Sequence, residues 1–307
     1  IELIGMIVML PTFCGNYGIK GIWMAAFHSI SAFCNAGFDI LGTAENKYQS
    51  LTGYIGEPTI NIAIMLLIIV GGIGFLTWDD IYTNKWHFKK YRMQSKVILV
   101  TTAILIIAPA VFFFFCDFTG LPLAERILAS LFQSVTPRTA GFNTADLSAM
   151  TGSSKAIMTM LMLVGGSPGS TAGGMKTTTL AVLILSAFSV CRKKDDAEVC
   201  GRRIDGSAVK NAVAVAVMYF LLFFVGGIVI STAEGLPLST CIYETASAVG
   251  TVGLTLGITP QLGVLSQLIL IVLMYLGRVG GLTLIYAAIS NKNQSGAKLP
   301  LEKITVG

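Results

Sequence analysis

Residues 247–255 read SAVGTVGLT and separate two long apolar segments. These nine residues include two glycines, two threonines and a serine, so the segment is both polar and flexible. Backbone that is not helical is tolerated at membrane depth only where it is buried in protein or lines a water-filled cavity. The segment therefore predicts a turn that faces an aqueous or ionic pathway inside a membrane protein.

The composition supports a membrane location. Hydrophobic residues make up 54% of the 307 residues, charged residues only 12%, and the mean hydropathy is +0.75. A soluble domain carries about twice that charged fraction. The net charge of +5 lies in a few short loops, which indicates a role in membrane topology and argues against nucleic-acid binding. We predict an all-α polytopic protein embedded in the lipid bilayer.

The polar turn occurs three times, each time after a short apolar segment. The two earlier copies read FHSISAFCNAGF over 27–38 and FQSVTPRTAGF over 132–142. Gly37 and Gly141 are 104 residues apart, and Gly141 and Gly253 are 112 apart. A helix of about 10–14 residues is too short to cross ~30 Å of hydrocarbon, so each short segment is predicted to be re-entrant. The pattern predicts tandem units of helix, short pore helix, turn and helix.

Loops rich in lysine and arginine separate these units. The positive-inside rule places the loops in the cytoplasm and the turns toward the other side. The predicted boundaries are a unit over 1–84, a basic loop over 85–96, a unit over 97–191, a basic loop over 192–206, a unit over 207–290 and a cytoplasmic tail over 291–307. We interpret the basic loops as topology signals and docking surfaces for a partner rather than as lipid-specific sites.

Three copies of the turn do not close a familiar pore, whereas four do. The chain also begins within an apolar segment at Ile1, without an initiator methionine. We therefore expect a further unit upstream, and a pseudo-fourfold ion pore of which three units are present.

The three turns have the features of an ion-selectivity filter. Such a filter replaces the hydration shell of an ion with rings of backbone carbonyls, and glycine permits the backbone angles that this requires. The C-terminus of a preceding short helix adds roughly half a negative charge. A single glycine-rich turn is more often an ordinary connector, but three at matched spacing favour a filter. The candidate filter residues are Cys34, Asn35, Ala36, Gly37, Arg138, Thr139, Ala140, Gly141, Gly250, Thr251, Val252 and Gly253.

A glycine-rich loop, residues 165–176, interrupts the second helix of the middle unit. Its first ten residues include five glycines and a proline, which do not sustain a helix. Below the filter, such a loop is placed to obstruct the pathway and small enough to move, so we interpret it as a gate. The candidate gate residues are Gly165, Gly166, Ser167, Pro168, Gly169, Ser170, Thr171, Ala172, Gly173, Gly174, Lys176 and, from the last helix, Arg278.

Two other interpretations fit this loop less well. A phosphate-binding P-loop has the spacing of Gly169 and Gly174, but Met175 occupies the lysine position and the segment before the loop is an apolar helix rather than a strand. A plain helix kink needs one proline and no run of glycines.

Charged residues within apolar segments are expensive and point to function. Arg278 is predicted to face the pore near the loop, with snorkelling to the cytoplasmic interface as the alternative. Glu244 either attracts cations or pairs with a neighbour, and His28 is expected to be a packed residue. A spanning segment is predicted over 58–82, with Asp79 and Asp80 at its solvated cytoplasmic end.

The stretches 27–38, 136–144 and 247–254 resemble the second, third and fourth filter loops of the TrkH/KtrB family of potassium transporters. The resemblance extends to the chain end at 302–307 and includes an arginine at the positions of Arg138, where it ties the loop to its surroundings, and Arg278. It implies four fused units around one pathway, a homodimer and a cytosolic ring of nucleotide-binding RCK subunits. The first filter loop, which bears on potassium versus sodium preference in the family, is absent here.

These observations predict the ion-translocating subunit of a potassium-uptake system in the bacterial cell membrane, with no organic cofactor. Potassium is expected at the backbone carbonyls of Asn35, Ala36, Thr139, Ala140, Thr251 and Val252. Coupling to sodium or to protons is left open by the sequence. A secondary transporter usually shows inverted repeats, whereas these units run in one direction. A membrane enzyme would need a nucleophile, an acid–base pair or a metal cluster, and the two histidines and few carboxylates supply none in the apolar segments.

Overall fold

The computed structural model describes residues 1–43, 49–194 and 196–280. The end of the last predicted unit and the tail over 291–307 lie outside the described residues. The helices are α1 Glu2–Tyr17, α2 Lys20–Phe33, α3 Pro58–Gly72, α4 Phe75–Asn84, α5 Met93–Cys116, α6 Leu123–Val135, α7 Gly152–Leu163, α8 Thr177–Cys191, α9 Gly206–Glu234, α10 Leu238–Gly250 and α11 Val264–Val279. A two-residue hairpin pairs strand β1, Glu198–Val199, with strand β2, Arg202–Arg203.

The helices fall into three consecutive units with the same order. Each unit has a first helix (α1, α5 or α9), a short helix (α2, α6 or α10) and a second helix (α3, α7 or α11) that ends beside glycine-rich sequence. The predicted all-helical architecture is confirmed, and the small hairpin in the second basic loop is the only sheet within the described residues.

Two helices in the described part of the chain, α5 and α9, are long and apolar enough to cross a membrane. Their most apolar stretches each have a mean hydropathy of 2.7. The pair α3 and α4 adds a third candidate if the two are counted as one bent span, and α8 and α11 are shorter apolar helices.

The short helix α6 returns only to the middle of α5. Near its end, Ser134 Oγ donates a hydrogen bond to the carbonyl of Ile106, and Arg138 Nη2 lies 3.4 Å from Thr102 Oγ1. The chain reaches α6 from the far end of α5, at Cys116, so α6 enters and stops half-way. This is the re-entrant geometry that the length of the segment predicts.

The C-terminal parts of the short helices are largely buried. In α10, every residue from Tyr243 to Gly250 is buried. In α2, the ring of His28 is fully buried, stacks on Phe13 at 5.1 Å between centroids, and places Nδ1 2.7 Å from the carbonyl oxygen of Met24. The prediction that His28 is a packed residue is confirmed.

The spanning segment predicted over 58–82 is bent. Helix α3 ends at Gly72, and α4 leaves it at an angle of 99°. Gly74 takes a φ of +86°, a left-handed angle that side chains disfavour, and the amide of Phe75 donates to the carbonyl of Gly169 at 3.1 Å. The chain therefore turns at a place where Gly169, in the glycine-rich loop, accepts the hydrogen bond of the first amide of α4.

The prediction that Asp79 and Asp80 form a solvated helix end is wrong for Asp80. Its carboxylate is buried and accepts hydrogen bonds from Ser95 Oγ at 2.5 Å and from the amide of Arg92 at 3.1 Å. Asp79 is exposed and forms an ion pair with Arg92 at 2.9 Å. Asp80 thus fastens α4 to the start of α5.

The two aspartates are expected to differ in their contribution to stability. Asp80→Ala leaves the Ser95 hydroxyl and the Arg92 amide without their acceptor, so we expect a loss of about 2 kcal/mol. Asp79→Ala removes only an exposed ion pair and should cost no more than about 0.5 kcal/mol. Thermal unfolding of the purified full-length protein in detergent measures both, and equal unfolding temperatures for the two variants would contradict this account.

Candidate functional site

The three predicted turns adopt the same backbone path. In each, two residues with positive φ flank one residue between them. The pairs are Asn35 (+49°) with Gly37 (+71°), Thr139 (+63°) with Gly141 (+89°), and Thr251 (+54°) with Gly253 (+94°). A residue other than glycine rarely takes such an angle, and the surrounding structure must compensate its strain. A residue with such an angle recurs at the same place in all three turns. The three turns therefore share one local backbone conformation.

The turns lie side by side in chain order. A Cβ atom on Gly37 would lie 2.1 Å from the carbonyl oxygen of Ala140, and one on Gly141 would lie 2.3 Å from that of Val252. A Cβ atom on Gly253 would meet only the Cα atom of Gly141, at 3.9 Å. The first two glycines are thus required by close backbone approach as well as by their angles.

A hydroxyl group near the end of each short helix holds the following turn. Ser31 Oγ donates to the carbonyl of Phe38 at 2.7 Å, Thr136 Oγ1 donates to that of Phe142, and Ser247 Oγ accepts from the amide of Gly253 at 3.2 Å. The roles of these three residues are not among those predicted from the sequence. The available signal was a serine or threonine five or six positions before each turn glycine.

Buried polar atoms without a partner cluster at the turns. Among the described residues, the side-chain amide of Asn35 and the hydroxyls of Thr139 and Thr251 have no hydrogen-bond partner in the protein. Buried polar groups in native proteins nearly always bind protein, water or an ion. The turns therefore fit a hydrated or ion-occupied pathway.

Some predicted filter residues have a supporting position. Cys34 caps the end of α2, and Gly250 is the last residue of α10, where a Cβ atom would lie 2.1 Å from the carbonyl oxygen of Met162. The buried Arg138 reaches Thr102 of α5, as expected for a residue that ties its loop to the surroundings.

Glu244 pairs with its neighbours. Its carboxylate accepts hydrogen bonds from Thr255 Oγ1 at 2.7 Å, from the amide of Leu256 at 2.8 Å and from Thr259 Oγ1 at 2.7 Å. Of the two roles that the sequence left open, this geometry favours support of the chain that follows the third turn.

The glycine-rich loop is a true break between two helices. Helix α7 ends at Leu163 and α8 begins at Thr177. The two ends of the loop are joined by hydrogen bonds from the amide of Gly165 to the carbonyl of Met175 at 2.8 Å and from the amide of Thr177 to that of Gly166 at 3.0 Å. The loop is therefore closed at its base and projects as a compact unit.

The loop docks on the break between α3 and α4. The amide of Ser167 donates to the carbonyl of Gly72 at 2.8 Å, and that of Thr171 donates to Gly71 at 3.3 Å. Thr171 Oγ1 also donates to the carbonyl of Phe33, the last residue of α2, at 3.0 Å. In return, Gly169 accepts the amide of Phe75. The backbone groups left free at the two helix breaks thus form hydrogen bonds with each other.

The loop also touches the second and third turns. A Cβ atom on Gly173 would lie 2.0 Å from Thr251 Oγ1, and one on Gly165 would lie 3.0 Å from Thr139 Cγ2. Two cationic side chains also donate hydrogen bonds to carbonyls of the loop. Arg278 Nη1 donates to the carbonyl of Thr171 at 3.2 Å, and Lys176 Nζ donates to that of Ala172 at 2.7 Å. The structure therefore brings the candidate gate and the candidate filter into direct contact.

Comparison with known proteins identifies the family. Residues 3–296 match the family model TrkH, described as a cation transport protein. The chain belongs to the TrkH family of cation transport proteins. It is 38% identical to the potassium/sodium uptake protein NtpJ of Enterococcus hirae and 34% identical to the Ktr system potassium uptake protein B of Bacillus subtilis, with all of this chain and 69% of each relative aligned.

A solved structure shows the shared fold. The crystal structure of the potassium transporter TrkH from Vibrio parahaemolyticus superposes with a TM-score of 0.74 at 18% identity, over 94% of this chain and 61% of that one. This member of the TrkH family is thus a multi-pass cation transporter of the Ktr/Trk type in the bacterial cell membrane, and not an enzyme.

The contact between the glycine-rich loop and the third turn makes a testable energetic prediction. Gly173→Ala places a methyl group against Thr251 Oγ1, so we expect a destabilisation of about 1–3 kcal/mol. Thr251→Ala removes that oxygen, and the double variant should recover at least half of the loss, as measured by thermal unfolding of the full-length protein.

Gly169→Ala is the matched control. Gly169 has a φ of +69°, but a Cβ atom placed on it would have no neighbouring atom within 4 Å, so the cost of the substitution comes from the backbone alone. Thr251→Ala should leave that cost unchanged. Simple additivity of Gly173→Ala and Thr251→Ala would show that the loop and the third turn are not in contact.

Proposed function

We propose that this protein conducts potassium into the cell through the three glycine turns. The observation that carries the proposal is the side-by-side placement of three turns with the same backbone path, each at the C-terminal end of a short helix. The proposed ligands are the backbone carbonyls of Asn35, Ala36, Thr139, Ala140, Thr251 and Val252. The names of NtpJ and of the Ktr system protein support potassium as the transported ion.

The short helices supply an electrostatic reason for cation preference. Helices α2, α6 and α10 end at the turns, and each C-terminus carries roughly half a negative charge. The unpartnered hydroxyl and amide groups add dipoles that reorient without a net charge. A weakly hydrated cation would exchange water for carbonyl oxygen in this setting.

The glycine-rich loop is the proposed gate, in a closed position. It contacts the turns, and it brings Lys176 and Arg278 to the same region. Two positive charges there raise the free energy of a potassium ion leaving the filter. Opening requires the loop to lose its hydrogen bonds to Gly71, Gly72 and Arg278, while its closed base allows it to move as a unit.

The wider assembly is inferred from the relatives. We propose that the chain is the membrane subunit of a Ktr-type system, works as a homodimer and is regulated by a cytosolic ring of nucleotide-binding RCK subunits. NtpJ is named a potassium/sodium uptake protein, so sodium is the coupling ion to examine first, with protons as the alternative.

The turn glycines test the filter. Backbone strain of this kind costs about 1–3 kcal/mol, and 1.4 kcal/mol corresponds to tenfold in an equilibrium. We expect Gly37→Ala and Gly141→Ala, which also collide with a carbonyl oxygen, to reduce rubidium uptake at least about tenfold. Gly253→Ala, which has room for its methyl group, should be milder.

Uptake is measured in a potassium-uptake-deficient bacterium that carries the full-length gene, with membrane expression verified for each variant. Gly120→Ala is the matched control, because its Cβ position is open and its φ is ordinary. Wild-type uptake by Gly37→Ala and Gly141→Ala would contradict the filter assignment.

Arg278 tests the gate. Arg278→Ala removes a charged donor from the carbonyl of Thr171, a bond of roughly 1.5–3 kcal/mol, so the open position should become more populated. We expect rubidium uptake to rise up to about tenfold. The exposed Arg202 of β2 provides the control Arg202→Ala, which should transport as wild type. Uptake at or below the wild-type rate in Arg278→Ala contradicts the gate.

A further inference from the structure

We propose that α4, the basic loop that follows it and the start of α5 form a binding site for an anionic phospholipid of the cytoplasmic leaflet. The site combines exposed aromatic rings with uncompensated lysines at the end of the bundle that the positive-inside rule assigns to the cytoplasm. Its evidence is independent of the proposed ion pathway.

Helix α4 has the orientation of an interfacial helix. It leaves α3, an apolar helix, at 99°, so it runs across the bundle rather than along it. One side, with Thr77 and Asp80, is buried against the protein, whereas Leu76 and Tyr82 are 53% and 87% exposed. A helix that lies in the membrane surface places its apolar side chains at the headgroup and acyl boundary in this way.

Aromatic side chains frame a depression next to α4. The depression has a volume of about 980 Å³ and is lined in part by Tyr82, Trp86, Phe88, Tyr91 and Leu99. Trp86 is 98% exposed. Tryptophan and tyrosine are enriched where membrane meets water, because one part of the ring system is apolar and another is polar.

The depression carries positive charge without a local counter-charge. Residues 85–96 contain four lysines and an arginine, and no acidic residue. Among the described residues, the acidic groups that form ion pairs with this segment are Asp79 and Asp80, and both pair with Arg92. The charges of Lys85, Lys89 and Lys90 remain uncompensated there, which suits a phosphate-bearing headgroup.

The surroundings favour a lipid over a soluble partner. The depression reaches α5 at Leu99, and Val100, Ile104 and Ile107 of the same helix are 50%, 59% and 60% exposed. These side chains belong to a membrane-spanning helix, so acyl chains are their natural neighbours. The sequence predicts a topology signal and a partner-docking surface for the basic loop 85–96, and the lipid site proposed here is an alternative to that docking role.

The site is connected to the glycine-rich loop. The first residue of α4, Phe75, donates its amide to Gly169, and a Cβ atom on Gly74 would lie 2.6 Å from the carbonyl oxygen of Pro168. A lipid bound at the far end of this ten-residue helix therefore acts on the element that holds the loop.

Fluorescence of Trp86 tests the proposal directly. The full-length protein, with its other tryptophans replaced by phenylalanine, is reconstituted into phosphatidylcholine nanodiscs that contain a minor fraction of brominated lipid. We expect brominated phosphatidylglycerol to quench Trp86 several times more strongly than brominated phosphatidylcholine. Each lysine near an anionic surface strengthens binding about fivefold, so the triple variant Lys85→Gln, Lys89→Gln, Lys90→Gln should lose this preference.

Two matched variants keep the result interpretable. Replacing Arg192, Lys193 and Arg202 by glutamine removes the same charge from the other basic loop and should leave the preference intact. Replacing Lys85, Lys89 and Lys90 by arginine keeps the charge and should also retain it, which separates charge from misfolding.

Equal quenching by the two lipids, or a preference that survives the triple glutamine variant, would overturn the proposal. The proposal would also be overturned if neither lipid quenched Trp86 and the added cytosolic subunits shielded it. The surface would then be a protein-docking site.

Discussion

The structure depends on one constraint: backbone groups that leave a helix inside a bilayer must find partners within the protein. Helices α3 and α7 both stop short of a full crossing, at Gly72 and at Leu163. Their breaks face each other, and the amides and carbonyls freed at one break are bonded to those at the other. The glycine-rich loop is thereby held against the second and third turns mainly by backbone hydrogen bonds. A loop held by a few backbone hydrogen bonds can be displaced at modest cost, as the proposed gate requires.

The first and third units use the same glycine spacing to end their second helices. Gly71 and Gly277 approach the end of a short helix so closely that a Cβ atom would lie 2.0 Å from the carbonyl oxygen of Phe33 and 1.9 Å from that of Val249. Three residues later, Gly74 and Gly280 take φ angles of +86° and +88°. By this correspondence Arg278 occupies the position of Gly72.

The correspondence explains how one loop is held from two sides. In the first unit, Gly72 offers a carbonyl to the amide of Ser167; in the third, Arg278 offers a guanidinium to the carbonyl of Thr171. Equivalent backbone positions thus supply an acceptor on one side and a charged donor on the other. In a chain with internal repeats, one substitution at an equivalent position can therefore exchange a backbone acceptor for a charged side-chain donor.

Local sequence predicted the features that depend on local chemistry. The short helix predicted before the second turn coincides with α6, and the break at 165–176 separates α7 from α8, because five glycines and a proline in ten residues do not sustain a helix. The features that depend on distant partners were missed. The bend after Gly72 lies in an apolar run that continues to Leu76, and its partner Gly169 is remote in sequence. Asp80 is buried because of Ser95, which no pattern around Asp80 reveals.

The central claim is that the three turns form the ion-binding arc directly against the glycine-rich loop. Anomalous X-ray scattering from crystals of the full-length protein grown in rubidium tests it without reliance on variants. The account predicts anomalous density within coordination distance of the carbonyl oxygens of Asn35, Ala36, Thr139, Ala140, Thr251 and Val252, and none beyond the loop while it is closed. Ordered rubidium only at sites remote from these carbonyls would contradict it.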